Sequence, residues 1–305
     1  ESCTPNTICG TLMVGDHFSP FAVFAPLPSF TPAITVPGDM IVEATSPAGA
    51  TVTFVATATD PTDGALDPVC TPASGSTFAI GTTTVTCTAT NSLGISASAS
   101  FTVTVPDTTR PVFTNVPGTI VALATTTAGA IVTYELPTAT DGLAGPVPVI
   151  CTPASGSTFA PGQKTVDCTA SDAWGNTATA SFMVRVQYQA PADGSFFLQP
   201  INPDGSSVFK QGSTVPVKFK LQGASAGIAN LAAHLTVARM SSSVTGTYVE
   251  ASSNGAADGG NTFRYDTAAK QYIFNLSTKT MSIGTWVLRA DLGDRVEHTV
   301  NVSLR

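Results

Sequence analysis

The sequence CTPASGSTFA occupies Cys70–Ala79, and the same ten residues return unchanged at Cys151–Ala160. The two copies lie 81 residues apart, and each is followed at the same distance by a second cysteine, Cys87 in the first copy and Cys168 in the second. An internal repeat of this length indicates a tandem array of one structural module. The duplicated stretch therefore predicts two copies of one domain.

Weaker matches on both sides of the duplicated stretch give the domain boundaries. They extend the two modules to residues 31–106 and 107–187, each large enough for one small core. A segment without cysteines follows at residues 190–305 and has no counterpart in the repeat. Residues 1–30 precede the first module and match neither copy. The sequence thus predicts three domains with a short segment before them.

Hydrophobic residues in the modules recur with a period of two. Val85 and Cys87 alternate with threonines, and so do Phe101 and Val103. Alternation of this kind, rich in β-branched residues and bounded by Gly and Pro, is typical of half-buried antiparallel strands. The stretch Val215–Leu221 shows the same period in the third segment. Several short strands per module favour two packed sheets, so the predicted fold is all-β and built from β-sandwiches.

The six cysteines form three local pairs along the chain. An even number, with the same spacing in each module, is typical of disulfides formed in an oxidising environment, and so of a secreted protein. A zinc site is the alternative, but no CxxC motif occurs and the three histidines are isolated in the sequence. The predicted disulfides are Cys3–Cys9, Cys70–Cys87 and Cys151–Cys168.

The two modules resemble the hyalin repeat (HYR), an immunoglobulin-like extracellular module. Besides the duplicated ten residues, the resemblance is carried by VPGDMIVEAT at Val36–Thr45, TATD at Thr138–Asp141 and AWGNTATASF at Ala173–Phe182. It implies immunoglobulin-like β-sandwiches, a place at the cell surface and a role in adhesion, and it implies no enzymatic activity. The first copy departs from the pattern at Asn91–Ile95, which reads NSLGI where the second copy has DAWGN.

The third segment resembles the PxKF domain, which often follows such repeats in bacterial secreted proteins. The matching residues are Pro216–Phe219, which read PVKF. The resemblance covers about residues 195–305 and implies a third β-sandwich. The predicted fold is therefore three tandem immunoglobulin-like β-sandwiches with an extended strand segment at the N-terminus.

The segment before the first module is apolar and β-prone, yet it is too short to bury its own side chains. An exposed strand of this kind pairs readily with the edge of a sheet. Two interpretations stay open: the segment folds back onto its own first module, or it completes a sheet in a neighbouring copy and so builds a filament. The residues predicted to make this contact are Leu12, Val14, Phe18, Phe21, Val23 and Phe24.

Acidic residues in the predicted loops are candidate ligands for Ca²⁺, which binds carboxylate oxygens. They are Asp60, Asp63 and Asp67 in the first module and Asp141 in the second. The alternative is that these aspartates stabilise turns through hydrogen bonds with the local backbone, and the second module lacks two of the three acids. No other metal or cofactor is predicted, because no GxSxG, HExxH or P-loop motif occurs.

Charge and hydropathy narrow the class of protein. Charged residues make up only 11% of the chain, and its formal net charge is −7. Arg110 is the only basic residue before Lys164, which argues against nucleic acid as a partner. No run of 18 apolar residues predicts a membrane span. The sequence therefore predicts a secreted structural or adhesive protein at the cell surface, not an enzyme.

The predicted function is the subunit of a surface filament that assembles head-to-tail by strand donation, with copies of itself as partners. The first alternative is a non-polymeric adhesion or spacer region of a larger surface protein. The second is a carbohydrate-binding module of a secreted enzyme, with cell-surface or matrix glycans as ligands. A row of exposed aromatic rings would favour that second alternative, and the chain has only two tryptophans, Trp174 and Trp286.

Overall fold

A computed structural model describes residues 30–241, 243–254 and 260–305. These residues are all-β, as the period-two pattern predicts, and one short 3₁₀ helix is the single helical element among them. None of the described residues forms a helix long and apolar enough to span a membrane. The predicted N-terminal strand segment and the Cys3–Cys9 disulfide lie outside the described residues.

The chain divides into two compact units. The first contains the described residues up to Arg110, together with Asp141–Gly145. The second consists of Pro111–Thr140 and Pro146–Arg305, so it joins most of the second module to the third segment. The domain boundaries predicted from the sequence stay predictions.

The first module forms a β-sandwich of nine short strands. In chain order, β1–β9 are Ala33–Thr35, Met40–Ile41, Ala50–Thr51, Thr57–Asp60, Gly64–Leu66, Val69–Thr71, Thr77–Phe78, Gly81–Thr90 and Ser96–Val105. One sheet has the strand order β1-β4-β5 and the other has the order β2-β9-β8-β6, while β3 pairs with β7. The antiparallel hairpin of β8 and β9 is the longest element, and β2 lies parallel to β9.

The core of the first module follows the alternation read from the sequence. Val85 and Cys87 on β8 are fully buried, and Phe101 and Val103 on β9 pack into the same cluster. Phe78, from the duplicated stretch, completes this core at 2% exposure. Burial of each such side chain contributes about 1.5–3 kcal/mol to folding, so the threonine-rich hairpin is stabilised mainly by its inward face.

The second module repeats the first strand for strand. In chain order, β10–β18 are Val112–Thr114, Ile120–Leu123, Ala130–Val132, Thr138–Asp141, Gly145–Val147, Val149–Thr152, Ser157–Phe159, Gly162–Ser171 and Thr177–Gln187. Its sheets have the orders β10-β13-β14 and β11-β18-β17-β15, and β12 pairs with β16. The strand orders are those of the first module, so the duplicated sequence encodes a duplicated fold.

The third segment is also a β-sandwich, but its strand order differs from that of the repeats. Its strands β19–β27 are Val208–Phe209, Thr214–Phe219, His234–Ser241, Val244–Thr245, Val249–Glu250, Arg264–Asp266, Gln271–Ser277, Gly284–Asp291 and His298–Leu304, and the 3₁₀ helix is Gly223–Ser225. One sheet has the order β19-β27-β26-β21-β22, with β23 also paired to β21. The other has the order β20-β25-β24.

Aromatic rings fill the centre of the third segment. Phe219 stacks on Tyr272 with 4.8 Å between ring centroids, and it meets Phe263 edge to face. The Tyr272 hydroxyl donates a hydrogen bond to the carbonyl oxygen of Ile228 at 2.8 Å, which satisfies this buried polar atom. Burial raises the pKa of Tyr272 to about 12, so the hydroxyl keeps its proton and its role as a donor.

The linker between the second module and the third segment, residues 188–189, contributes to the core of the second unit. Tyr188 is 4% exposed, and its backbone N–H donates a hydrogen bond to the Asp294 carboxylate at 2.9 Å. The Ser225 hydroxyl donates to the carbonyl oxygen of Ala124 at 2.6 Å, which ties the 3₁₀ helix to the second module. One hydrophobic cluster therefore runs from the second module into the third segment, and the linker is part of a packed interface.

One histidine of the third segment, His298, is buried in its core. His298 is 7% exposed, and its ring stacks on Phe196 with 3.9 Å between centroids. Its Nε2 atom has no hydrogen-bond partner among the described residues. Burial lowers the pKa of His298, and the nearby Asp294 carboxylate offsets only part of this effect.

We expect the second unit to lose stability as the pH falls below about 6.5, the ordinary pKa of an unfolded histidine. Below that pH, His298 binds a proton more readily in the unfolded chain than in the folded chain. Protonation therefore stabilises the unfolded state and lowers the free energy of unfolding. The His298→Phe variant keeps the stacked ring and should flatten the change in melting temperature between pH 7 and pH 5. His234→Gln is the matched control, and an equal flattening in that variant would contradict the assignment.

Candidate functional site

The duplicated stretch begins at a disulfide between neighbouring strands. Cys70 on β6 lies opposite Cys87 on β8, with 4.0 Å between their Cα atoms. Cys151 on β15 and Cys168 on β17 repeat this arrangement with the same Cα separation. All four described cysteines are therefore bonded, and the described chain offers no free thiol.

The first serine of the duplicated stretch bonds to a backbone segment that forms no β-strand. In the first module the Ser74 hydroxyl accepts the N–H of Phe54 at 2.8 Å and donates to its carbonyl oxygen at 2.7 Å. Ser155 makes the same pair of hydrogen bonds with Tyr134, each at 2.8 Å. The alternating residues around Phe54 predict a strand, and the structure shows that a side chain satisfies this backbone instead. The ten repeated residues thus act as scaffold.

Beside this scaffold, the first module has an apolar groove of about 470 Å³. Its walls include Val55 and Val69, which are 79% and 73% exposed. Val69 lies on β6, the last strand of its sheet, so the outer backbone edge of that strand has no neighbouring strand in the sheet. The groove is lined by Phe54, Val55, Ala56, Pro68, Val69, Cys70, Ala73 and Ser74.

The second module presents the same kind of edge. Ile150 lies on β15, which is the last strand of its sheet, and it is 71% exposed. It stands 81 positions after Val69, so the two residues are repeat counterparts. Exposed apolar side chains on an edge strand favour pairing with a further strand. Both modules therefore carry a surface suited to strand addition.

Two of the acidic calcium candidates stabilise turns in the first module. Asp60 accepts the backbone N–H groups of Thr62 and Asp63 through Oδ1, and the Asn91 side chain through Oδ2. The hydrogen bond from Asn91, with those from the two backbone groups, holds the pKa of Asp60 below its usual value. Asp63 accepts both the N–H and the hydroxyl of Ser92, at 2.6 and 2.8 Å. These contacts link two turns at one end of the sandwich.

The other two calcium candidates have different environments. Asp67 is exposed. Asp141 is 4% exposed, and its Oδ1 accepts the backbone N–H groups of Leu143 and Ala144, each at 2.8 Å. Asp107, a buried residue that the sequence did not single out, has a carboxylate oxygen within 4.8 Å of Asp141. Because 34 positions separate these two acids, only the fold reveals that they are neighbours.

Comparison with known proteins gives two matches in sequence. The HYR domain matches residues 30–105 and 106–186. Hyalin from Lytechinus variegatus is similar to this chain, with 36% identity over 163 residues that cover 51% of this chain and 31% of hyalin. The chain thus spans about a third of the curated relative that it matches.

Solved structures similar to the chain come from tandem cell-surface domains. They include protocadherin gammaB7 EC3–6, at 18% identity and a TM-score of 0.27, covering 90% of this chain and 77% of that chain. Mouse cadherin-23 EC22–24 has 12% identity and a TM-score of 0.28, with coverage of 91% and 99%. The eight N-terminal Ig domains of DSCAM have 14% identity and a TM-score of 0.28, with coverage of 90% and 36%.

The assignment of this chain rests on the sequence matches, since TM-scores below 0.3 support no conclusion about function. The two HYR matches follow each other directly and together take in just over half of the chain. They contain both described disulfides and both copies of the duplicated stretch. This chain belongs to the HYR domain family.

Proposed function

We propose that this chain is part of an extracellular structural or adhesive protein without enzymatic activity, and that it assembles head-to-tail into a surface filament by strand donation. Membership of the HYR family, similarity to hyalin and the disulfides support the extracellular, adhesive part of the proposal. The filament part of the proposal is supported by an exposed apolar side chain on an edge strand in both repeats. These side chains are Val69 on β6 and Ile150 on β15.

The donor in this proposal is the sequence at residues 10–25. It contains apolar side chains in a β-prone context, and an extended segment of this kind adds to an open sheet edge through backbone hydrogen bonds. The alternate side chains of the donor would enter the groove beside Val55 and Val69. Because donor and acceptor are different surfaces, each copy can accept one strand and donate another, and the assembly grows without closing.

The second candidate function is a non-polymeric adhesion or spacer region of a larger surface protein. The continuous core from the second module into the third segment favours it, because a packed unit holds its two ends at a fixed distance. Carbohydrate binding has weaker support. Trp174 is 41% exposed, while the indole N–H of the half-buried Trp286 donates to the carbonyl oxygen of Ser282 within its own segment.

Removing residues 1–26 tests the filament. We expect the full chain to scatter light increasingly with concentration and to form fibres in electron micrographs, and the truncated chain to stay monomeric. Because the truncated chain keeps its acceptor edge, adding it in equal amount should cap growing ends and shorten the fibres. Fibres of unchanged length and number from the truncated chain alone would exclude strand donation.

A charge on the acceptor edge supplies the complementary test. Val69→Lys places an ammonium group against the expected donor strand and should suppress fibre formation, since charged residues on edge strands oppose pairing. Ile283→Lys is the matched control, because Ile283 is also exposed but belongs to the third segment and not to either repeat. Equal suppression by both variants would mean that general surface charge, and not the edge, governs assembly.

A further inference from the structure

A polar cleft of about 400 Å³ opens in the third segment, beside the end of β26. Its lining includes two arginines, Arg289 and Arg295, and two acids, Asp291 and Glu297. All four residues belong to the second compact unit. The volume lies within the range of clefts that hold small ligands. The cleft is therefore large enough for a small polar molecule or for one residue of a chain-like ligand.

The first arginine is held in place by its neighbours. The Arg289 Nε atom donates a hydrogen bond to the Thr236 hydroxyl at 3.2 Å. The guanidinium group lies over the ring of Tyr248, 4.1 Å from the ring centroid, and a cation in this position is attracted to the aromatic face. The two terminal nitrogens of Arg289 make no hydrogen bond with the described residues. They stay available to a ligand on a side chain whose orientation is fixed.

The second arginine stands in a turn with a fixed backbone. Arg295 has a φ of +61°, which is uncommon for a residue with a side chain and occurs where the surroundings determine the backbone strongly. The fully buried Asp294 accepts the N–H of Val296 at 3.1 Å. Asp291 accepts the N–H of Gly293 at 2.9 Å, at the start of the same turn. The turn thus presents the exposed Arg295 side chain from a rigid wall of the cleft.

The charges that line the cleft do not neutralise one another. Within the part of the chain that the structure describes, neither arginine forms an ion pair with Asp291 or Glu297. Planar guanidinium groups donate pairs of hydrogen bonds that match a carboxylate. Carboxylate oxygens, in turn, accept hydrogen bonds from hydroxyl groups. The cleft therefore suits a ligand that carries both a carboxylate and hydroxyls.

We propose that this cleft binds an acidic sugar, with the two guanidinium groups on the sugar carboxylate and with Asp291 and Glu297 on its hydroxyls. A uronic acid residue of an extracellular polysaccharide has both kinds of group on one ring. An acidic peptide would also attract the arginines, but it brings no hydroxyl donors and is repelled by the two acids. The site goes beyond the proposed assembly, because strand donation makes no use of this cleft.

Titration calorimetry of the full chain with a trimer of galacturonic acid tests the site. We expect one saturable binding event that weakens as salt is added, because salt screens charges near the surface. Arg295→Gln should weaken binding by at least about tenfold, since it removes the charged donor of the rigid turn. Arg239→Gln is the matched control, because Arg239 is an exposed arginine of the same segment that does not line the cleft. Both variants should melt at the temperature of the unchanged chain.

Two further probes separate an acidic sugar from other ligands. A galactose trimer has the hydroxyls without the carboxylates, and a glutamate trimer has carboxylates without the hydroxyls. Each should bind at least about tenfold more weakly than the galacturonic acid trimer. Absence of binding, equal binding of either probe, or unchanged binding by Arg295→Gln would overturn the proposal. These measurements contain no fibre readout, so their failure would leave strand donation untouched.

Discussion

Replacing Gly49 with alanine should lower the stability of the first repeat by about 4 kcal/mol, a loss at the upper end for single substitutions. A Cβ atom at this position would lie 1.8 Å from the carbonyl oxygen of Phe78. The backbone of Gly49 also has a φ of +108°, a conformation that side chains of L-residues rarely adopt. Since a domain of this size is stable by only about 4–12 kcal/mol, this substitution should remove a third or more of the stability of the first repeat.

The surroundings of Gly49 leave no inexpensive way to relieve this clash. The obstructing atom belongs to the backbone, and Phe78 is held on β7 opposite Ala50 of β3. On the other side, the N–H groups of Thr45 and Ser46 both donate to the carbonyl oxygen of Gly49, at 3.1 and 3.0 Å. A shift in either direction would break these hydrogen bonds or the pairing of β3 with β7.

Scanning calorimetry measures this effect, because the two compact units are expected to give separate transitions. Gly49→Ala should lower the transition of the first unit and leave that of the second in place. Gly38→Ala is the control, since a Cβ atom there would meet nothing within 4 Å. A first-unit transition that moves no more in Gly49→Ala than in Gly38→Ala would show that the backbone can adapt.

Strand alternation and the described disulfides could be predicted from the sequence because both depend on neighbours along the chain. Val85 and Cys87 share a face by strand geometry alone, and the fold buries both. The hydrogen bonds between Ser74 and Phe54 could not be predicted, because they join residues 20 positions apart through a side chain. No local pattern separates such a backbone segment from an ordinary strand.

The contacts of the acidic residues were even harder to predict from the sequence. The sequence singled out Asp60, Asp63, Asp67 and Asp141 as calcium ligands or turn-stabilising residues; in the structure, Asp60 and Asp63 accept hydrogen bonds in turns and Asp67 is exposed. Asp107 could not be found in this way, because its contact with Asp141 depends on tertiary structure.

Removing either of the two described disulfides should also lower the free energy of unfolding strongly. The two disulfides close loops of the same length. Each joins cysteines 17 positions apart, so in the chain-entropy model each stabilises its domain by about 3 kcal/mol. We therefore expect the double variants Cys70→Ala/Cys87→Ala and Cys151→Ala/Cys168→Ala to lose similar free energies of unfolding. Urea unfolding of each variant, followed at the affected unit, measures these losses.

Their melting temperatures should nevertheless differ, because the two disulfides lie in units of different size. A loss of 1 kcal/mol lowers the melting temperature by about 4–8 °C in a domain of 60–100 residues, but by only about 2–4 °C in one of 150–250 residues. The Cys70/Cys87 variant should thus melt roughly 12–24 °C lower, and the Cys151/Cys168 variant roughly 6–12 °C lower. Equal shifts would mean that the second repeat unfolds alone, and that the core it shares with the third segment does not make the second unit cooperative.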